Sequence, residues 1–297
     1  MEDQDLKLIF NAIESGRCLA FLGAGACTAF RRPNGEEEPG LPAGKQLAQW
    51  LAEKCQYTNG SVYDLFKVAE YFLYAHAGDR DLLEGALREK IQIPCSPRPI
   101  HTALSQLAQI KIIITSNYDT LLEQELFRCN RRLIKHVYNP QNPKTGHFKG
   151  PVVAHEFGEM DVVLHKMHGS IDEPGSLVIT QSDYIRYLAN LLDRDRGMPD
   201  YFRRWMIPRH TLLFLGYSLE DWNFQVIWDG VLASQVSAKD AYAIMHHPTH
   251  FQKRYWSRRH VEILDLDLTE FARRLAERFN LEIPQLGLMK KPAGGPA

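Results

Sequence analysis

The sequence has little of what would mark a membrane, secreted or nucleic-acid-binding protein. No apolar run among its 297 residues approaches the roughly 18 needed to cross a bilayer. The opening MEDQDLKLIF is acidic where a signal peptide would be basic. A cytoplasmic location with no membrane partner is therefore expected. Five cysteines, Cys18, Cys27, Cys55, Cys95 and Cys129, make no Cys-x-x-Cys pair. They read as free thiols of a reducing compartment, with packing roles in preference to metal binding. A formal net charge of −1 argues against direct nucleic-acid binding. There is no internal repeat. What is present is ordinary: 44% hydrophobic and 24% charged residues, in a chain long enough to bury roughly three quarters of the surface its unfolded form exposes.

The stretch Lys111–Glu123 (KIIITSNYDTLLE) organises the rest. Ile112 to Thr115 is a β-branched run suited to a buried parallel strand, Ser116-Asn117-Tyr118-Asp119 is a polar turn, and Leu121, Leu122, Leu126 and Phe127 recur at helical spacing. In an open parallel sheet, ligands bind outside the carboxyl ends of the strands, so Asn117 and Asp119 stand where chemistry would be done.

Other strands end in comparable turns. Cys18–Leu22 runs into Gly23-Ala24-Gly25-Ala26, Asp161–Leu164 leads to His168-Gly169, and Thr211–Leu215 runs into Gly216-Tyr217-Ser218-Leu219. Amides exposed after a first strand can cradle a pyrophosphate, although small residues there also simply make room for packing. An amphipathic helix stopped by Gly16 opens the chain, Arg31–Gly44 reads as a surface loop, and helical periodicity fills about 45 to 109. Residues 133–138, 241–245 and 261–265 add strands, and 184–192, 201–206 and 268–279 add helices. The expected fold is α/β, a Rossmann-like doubly wound parallel sheet of about six strands with an inserted helical subdomain. One domain over 1–285 and a disordered tail over 286–297 are expected.

Residue chemistry leaves two readings open at each candidate. Asn117 can hold water or a hydroxyl, or only cap the following helix; His168 can take a proton near neutral pH, or only satisfy buried backbone. Asp119 can bind a ribose or position Asn117, or only cap the helix that follows. Asp221 and Asn223 can reach a ribose or serve a helix dipole. Without a carboxylate or cysteine at ligand spacing, His246, His247 and His250 do not argue for a metal. The basic run Lys253–Arg259 reads as a solvated face or a protein interface anchored by Trp256.

Gly23-Ala24-Gly25-Ala26, Thr115-Ser116-Asn117-Tyr118-Asp119, His168-Gly169 and Gly216-Tyr217-Ser218-Leu219 occur in one order, and together they resemble the motifs of the sirtuin-like superfamily of NAD-consuming proteins. The resemblance implies catalytic roles for Asn117 and His168. It implies NAD contacts from Gly23, Ala24, Gly25, Ala26, Thr115, Ser116, Asp119, Gly216 and Ser218. Deacylase sirtuins carry a zinc module of two Cys-x-x-Cys pairs after the His, and no cysteine follows Cys129 here, so no metal is expected. The wording Thr-Ser-Asn-Tyr-Asp-Thr-Leu-Leu-Glu is similar to bacterial sirtuin-like NAD hydrolases of antiviral defence. That implies cleavage of NAD+ to nicotinamide and ADP-ribose, a homo-oligomer, and a HerA-type ATPase partner as in Nezha-type systems. A non-catalytic NAD- or ADP-ribose-binding regulatory module and an NAD-dependent deacylase are the alternatives.

Overall fold

Seven short aliphatic runs become seven parallel strands. The computed structural model describes residues 2–58, 60–139, 157–192, 210–219, 222–232 and 241–290. The main sheet contains β1 (Cys18–Leu22), β4 (Ile112–Thr115), β5 (Arg132–Val137), β6 (Asp161–Lys166), β7 (Thr211–Leu215), β8 (Ala241–Met245) and β9 (Val261–Asp265). A separate ribbon pairs β2 (Phe30–Arg31) with β3 (Glu37–Glu38). The main order is β5-β6-β4-β1-β7-β8-β9, the doubly wound arrangement expected, with one strand beyond the approximate six. The ribbon lies inside the segment expected to be loop, because Phe30 finds a buried place that gives the turn an anchor.

Alternation along β1 sends its residues to two cores. Cys18, Ala20 and Leu22 pack with helices α1 (Glu2–Glu14), α5 (Pro99–Gln106), α6 (Leu121–Arg128) and α10 (Leu268–Phe279). Leu19 and Phe21 pack on the other face with α7 (Gln181–Leu192), α8 (Trp222–Ile227) and α9 (His250–Ser257). Burial on both faces is why these strands read as unbroken apolar runs.

The inserted helices α2 (Gly44–Lys54), α3 (Leu65–Ala75) and α4 (Arg80–Ile91) gather a third core that includes Ile171, Leu177 and Ile179. Arg80 pins this layer, pairing with Asp183 at 2.6 Å and Glu84 at 3.0 Å. Helix α5, expected with the insertion, instead buries Ile100, Ala103 and Leu104 in the main core. At the other end, Ile283 bridges Leu288, so the first residues of the expected tail are placed; 291–297 lie outside the described residues, as does the expected helix 201–206.

The register is level across the sheet. Val137 pairs with Lys166, Lys166 with Thr115, Thr115 with Leu22, Leu22 with Leu215, and Leu215 with Ile244. The residues that follow these positions therefore emerge side by side at one edge. Between β1 and β7 the winding reverses, which is the switch point where open α/β sheets bind ligands. There Gly23 N–H donates to Leu215 O and Gly25 N–H to Gly216 O, both at 2.9 Å.

Gly216 holds φ +72°, and a Cβ on it would lie 2.3 Å from Ala26 N. Left-handed backbone costs a side-chain-bearing residue about 1–2 kcal/mol, and the backbone clash adds to it. Gly216→Ala is expected to lower folding stability by at least about 2 kcal/mol, read as a reduced urea midpoint with an unchanged slope.

Candidate active site

The four sequence motifs meet around one cleft of about 1420 Å³ at the carboxyl edge. Gly23 to Ala26, Ser116, Asn117, Asp119, His168, Gly216 and Ser218 all line it. Helix α2 and the segment from Tyr63 to Phe66 contribute the facing wall, so the insertion helps to enclose the cleft.

Asn117 and His168 come together through register. Thr115 and Lys166 are paired, and Asn117 and His168 each stand two residues beyond; neighbouring strands lie about 4.8 Å apart. Asn117 is tightly oriented. Its backbone N–H donates to Thr115 Oγ1 at 3.0 Å, while its side-chain Nδ2 donates to Gly23 O at 3.1 Å and Cys27 Sγ at 3.3 Å. Both amide hydrogens are thereby engaged. The carbonyl Oδ1 is left buried with no hydrogen-bond partner among the described residues. The bland helix-cap reading fails for Asn117, because Asp119 Oδ1 is the acceptor for Leu121 N–H at the start of α6, at 3.0 Å.

His168 is 8% exposed, and Nε2 is likewise buried without a partner among the described residues. The ring meets Tyr187 and Tyr184 edge-on, with centroids 5.1 and 6.0 Å away. Burial pushes its pKa down to about 4, so the ring is neutral at pH 7 and able to accept a proton.

Beneath Asn117 lies a residue that sequence reasoning passed over. Cys27, assigned to packing, donates its S–H to Asp119 Oδ2 at 3.1 Å and accepts from Asn117 Nδ2. Burial, then the Asp119 charge, holds this thiol well above its ordinary pKa, so it keeps its proton. His101 Nε2 approaches Cys27 Sγ at 3.8 Å. Because Arg98 N–H donates to His101 Nδ1 at 3.0 Å, the proton of neutral His101 belongs on Nε2. Burial puts its pKa near 4. The available signal was position, since Cys27 immediately follows the Gly-Ala-Gly-Ala turn.

Two expectations need correction. Thr115 does not line the cleft: it is buried, and its hydroxyl donates to Leu22 O at 2.9 Å and accepts from Asn117. It builds the turn. The glycine turn does not offer all of its amides either. Gly23, Gly25 and Ala26 donate to Leu215 O, Gly216 O and Gly23 O, which leaves exposed Ala24 as the one of the four whose N–H has no acceptor among the described residues. Asp119 lines the cleft with both oxygens engaged, one by the Cys27 thiol and one by the Leu121 N–H at the start of α6. Asp221 lies outside the described residues, as does the side chain of Asn223.

The fold also brings a carboxylate to His246 and His247. The donor atoms of both and of Asp265 lie within 4.8 Å of one another. Asp265 already accepts His247 N–H at 2.9 Å and faces the Lys253 ammonium at 3.8 Å, so a cation already occupies its field.

Buried histidines make stability depend on pH in a definite direction. His101 and His168 have folded values of about 4 against an ordinary 6.5. Above 6.5 both states are neutral and the native contribution is complete; as pH falls towards 4 the unfolded chain takes up protons that the native site refuses. Each histidine should remove up to about 3 kcal/mol across that window. Urea midpoints measured from pH 7 to 4.5 should decline, and His168→Gln should make the decline shallower.

The chain is similar to several known proteins. A SIR2-like domain matches residues 111–264, more than half of the chain and a span containing Asn117, His168 and Gly216. An NAD(+) hydrolase ThsA of Enterococcus faecium is 27% identical over 225 residues, 75% of this chain and 41% of that protein. Defense-associated sirtuin 2 of Bacillus subtilis is 22% identical over 239 residues, 76% of this chain and 20% of that protein. The chain thus spans less than half the length of these relatives. A solved Sir2 enzyme structure is 13% identical, with a TM-score of 0.46, covering 94% of this chain and 97% of its own. On the match over residues 111–264, the chain belongs to the SIR2-like domain family.

Proposed function

We propose that this chain is an NAD+ hydrolase that breaks the nicotinamide–ribose bond and releases nicotinamide and ADP-ribose, depleting NAD in antiviral defence. The observation that carries the reading is that two of the buried side-chain atoms without hydrogen-bond partners on residues lining the cleft belong to Asn117 (Oδ1) and His168 (Nε2). Buried polar atoms normally have partners, so an acceptor and a ring nitrogen left bare on residues that line one cleft are suited to hydroxyls or water brought by a ligand. The names of the curated relatives, NAD(+) hydrolase and defence-associated sirtuin, support the substrate and the setting.

In this reading the C1′–N bond breaks with its electron pair leaving on nicotinamide, and positive charge develops on the ribose. A water oxygen then bonds to C1′ and loses a proton, so NAD+ and water give nicotinamide, ADP-ribose and H+. Asn117, held by Gly23 and Cys27, presents Oδ1 to a ribose hydroxyl or to that water. His168, neutral at pH 7, takes a proton from one of them. The Ala24 amide serves the pyrophosphate, with Gly25 and Gly216 allowing close approach and Ser116 and Ser218 on the rim. Enclosure by α2 limits bulk water and strengthens these polar contacts.

Residues 1–285 act as one catalytic unit on this account. A homo-oligomer, a HerA-type ATPase partner and a cytoplasmic location belong to the same proposal; among the described residues no helix is long and apolar enough to cross a membrane.

Purified chain, alone and with its genomic neighbour, should release nicotinamide from NAD+, and Asn117→Ala or His168→Ala should reduce the rate at least about 100-fold. Absence of nicotinamide in every assembly, with tight ADP-ribose binding, would show a binding module instead. Removal of acyl groups from lysine peptides would point to a deacylase. Because His168 is in its base form above about 4, kcat/KM should stay level as pH falls below 6.5, with the decline set nearer 4 to 5. A histidine limb at 6.5 would contradict the low value.

A further inference from the structure

Lys166 closes β6, two residues before His168, and its side chain is 0% exposed. A fully buried lysine is rare without partners. This one uses three acceptors, all from the segment that begins beside Asn117. The Asp119 carbonyl accepts through a short contact, Tyr118 O lies at 3.5 Å, and Glu123 Oε1 at 2.9 Å. One ammonium offers three donors, so the set is complete.

The placement is specific. Tyr118 and Asp119 directly follow Asn117, whereas Lys166 directly precedes Met167 and His168. The clamp therefore links the two turns that carry the proposed reacting side chains. Its surroundings reinforce that link. Ile171 N–H also donates to Tyr118 O at 2.8 Å, and Lys135 on β5 reaches Glu123 at 3.8 Å and Asp172 at 2.8 Å. Glu123 matches the Lys166 charge, so the clamp adds no unbalanced positive charge beneath a ribose that is itself becoming positive.

We infer that Lys166 is a positioning residue, a buried cation whose hydrogen bonds to the Tyr118 and Asp119 carbonyls set the place of Asn117 relative to His168. It touches no substrate. A displacement of about 1 Å at reacting groups can cost 100-fold in rate, so the clamp bears on turnover more than on binding. The kinetic half of this inference rests on the NAD+ hydrolase reading; the structural half does not.

Lys166→Met alone leaves half-buried Glu123 with only the Lys135 ammonium, at 3.8 Å, and takes the donor from the Asp119 carbonyl, so it is destabilising. The decisive variant of the full chain is therefore Lys166→Met with Glu123→Leu, in which an apolar pair replaces the ion pair and stability returns towards wild type. The double variant is expected to lose about 100-fold in kcat, with the KM for NAD+ and the dissociation constant for ADP-ribose within about three-fold. Hydrogen exchange should accelerate at the amides of residues 117–121 and at Ile171. A folded double variant with wild-type kcat, or with unchanged exchange over 117–121, overturns the inference. If wild type releases no nicotinamide in any assembly, the hydrolase reading fails, and exchange at 117–121 still decides the clamp.

Discussion

The site depends on one constraint, the level register of parallel strands across the switch point. Leu22 is flanked by Thr115 and Leu215, and the Gly25-to-Gly216 hydrogen bond holds the two glycine turns against each other. Every motif residue begins from that line. A shift of one residue in β4 against β6 would move Asn117 away from His168 by a strand step of about 3.3 Å and turn side chains to the opposite face. Two apolar cores, one on each face of β1, resist such a shift.

Much of this was legible in the sequence. Short aliphatic runs bounded by polar turns specify a sheet buried on both sides, and Gly16 does end the first helix, its N–H donating to Ile13 O at 2.9 Å with φ +67°. Placing the four motifs at strand ends was enough to bring them to one edge. Less legible was the allocation of hydrogen bonds inside that edge. Thr115 and three of the four amides of the glycine turn belong to motifs whose chemistry suits a ligand, yet backbone carbonyls engage them first, those of Leu22, Leu215 and Gly216 across the sheet and that of Gly23 within the turn. Cys27 and Lys166 were hidden for the converse reason. A cysteine reads as packing and a lysine as surface until the fold buries each beside particular acceptors. Asp265 joining His246 and His247 is a similar case, since neighbouring parallel strands unite residues distant in sequence.

Around the cleft, several donors and acceptors are matched: Thr115 with Leu22, Cys27 with Asp119, Lys166 with two carbonyls and Glu123. At the cleft surface, Asn117 Oδ1 and His168 Nε2 are unmatched. Leaving a buried polar group bare costs about 1–3 kcal/mol. The matched layer supplies the rigidity that keeps the bare atoms from collapsing onto each other or onto the backbone. A ligand that satisfies both recovers that cost on binding and stabilises the native state by mass action. Burial lowers the His168 pKa to about 4, so the ring stays neutral at pH 7. Burial is often read as evidence of a purely structural residue; under the proposed function it is what gives these two side chains their chemical use.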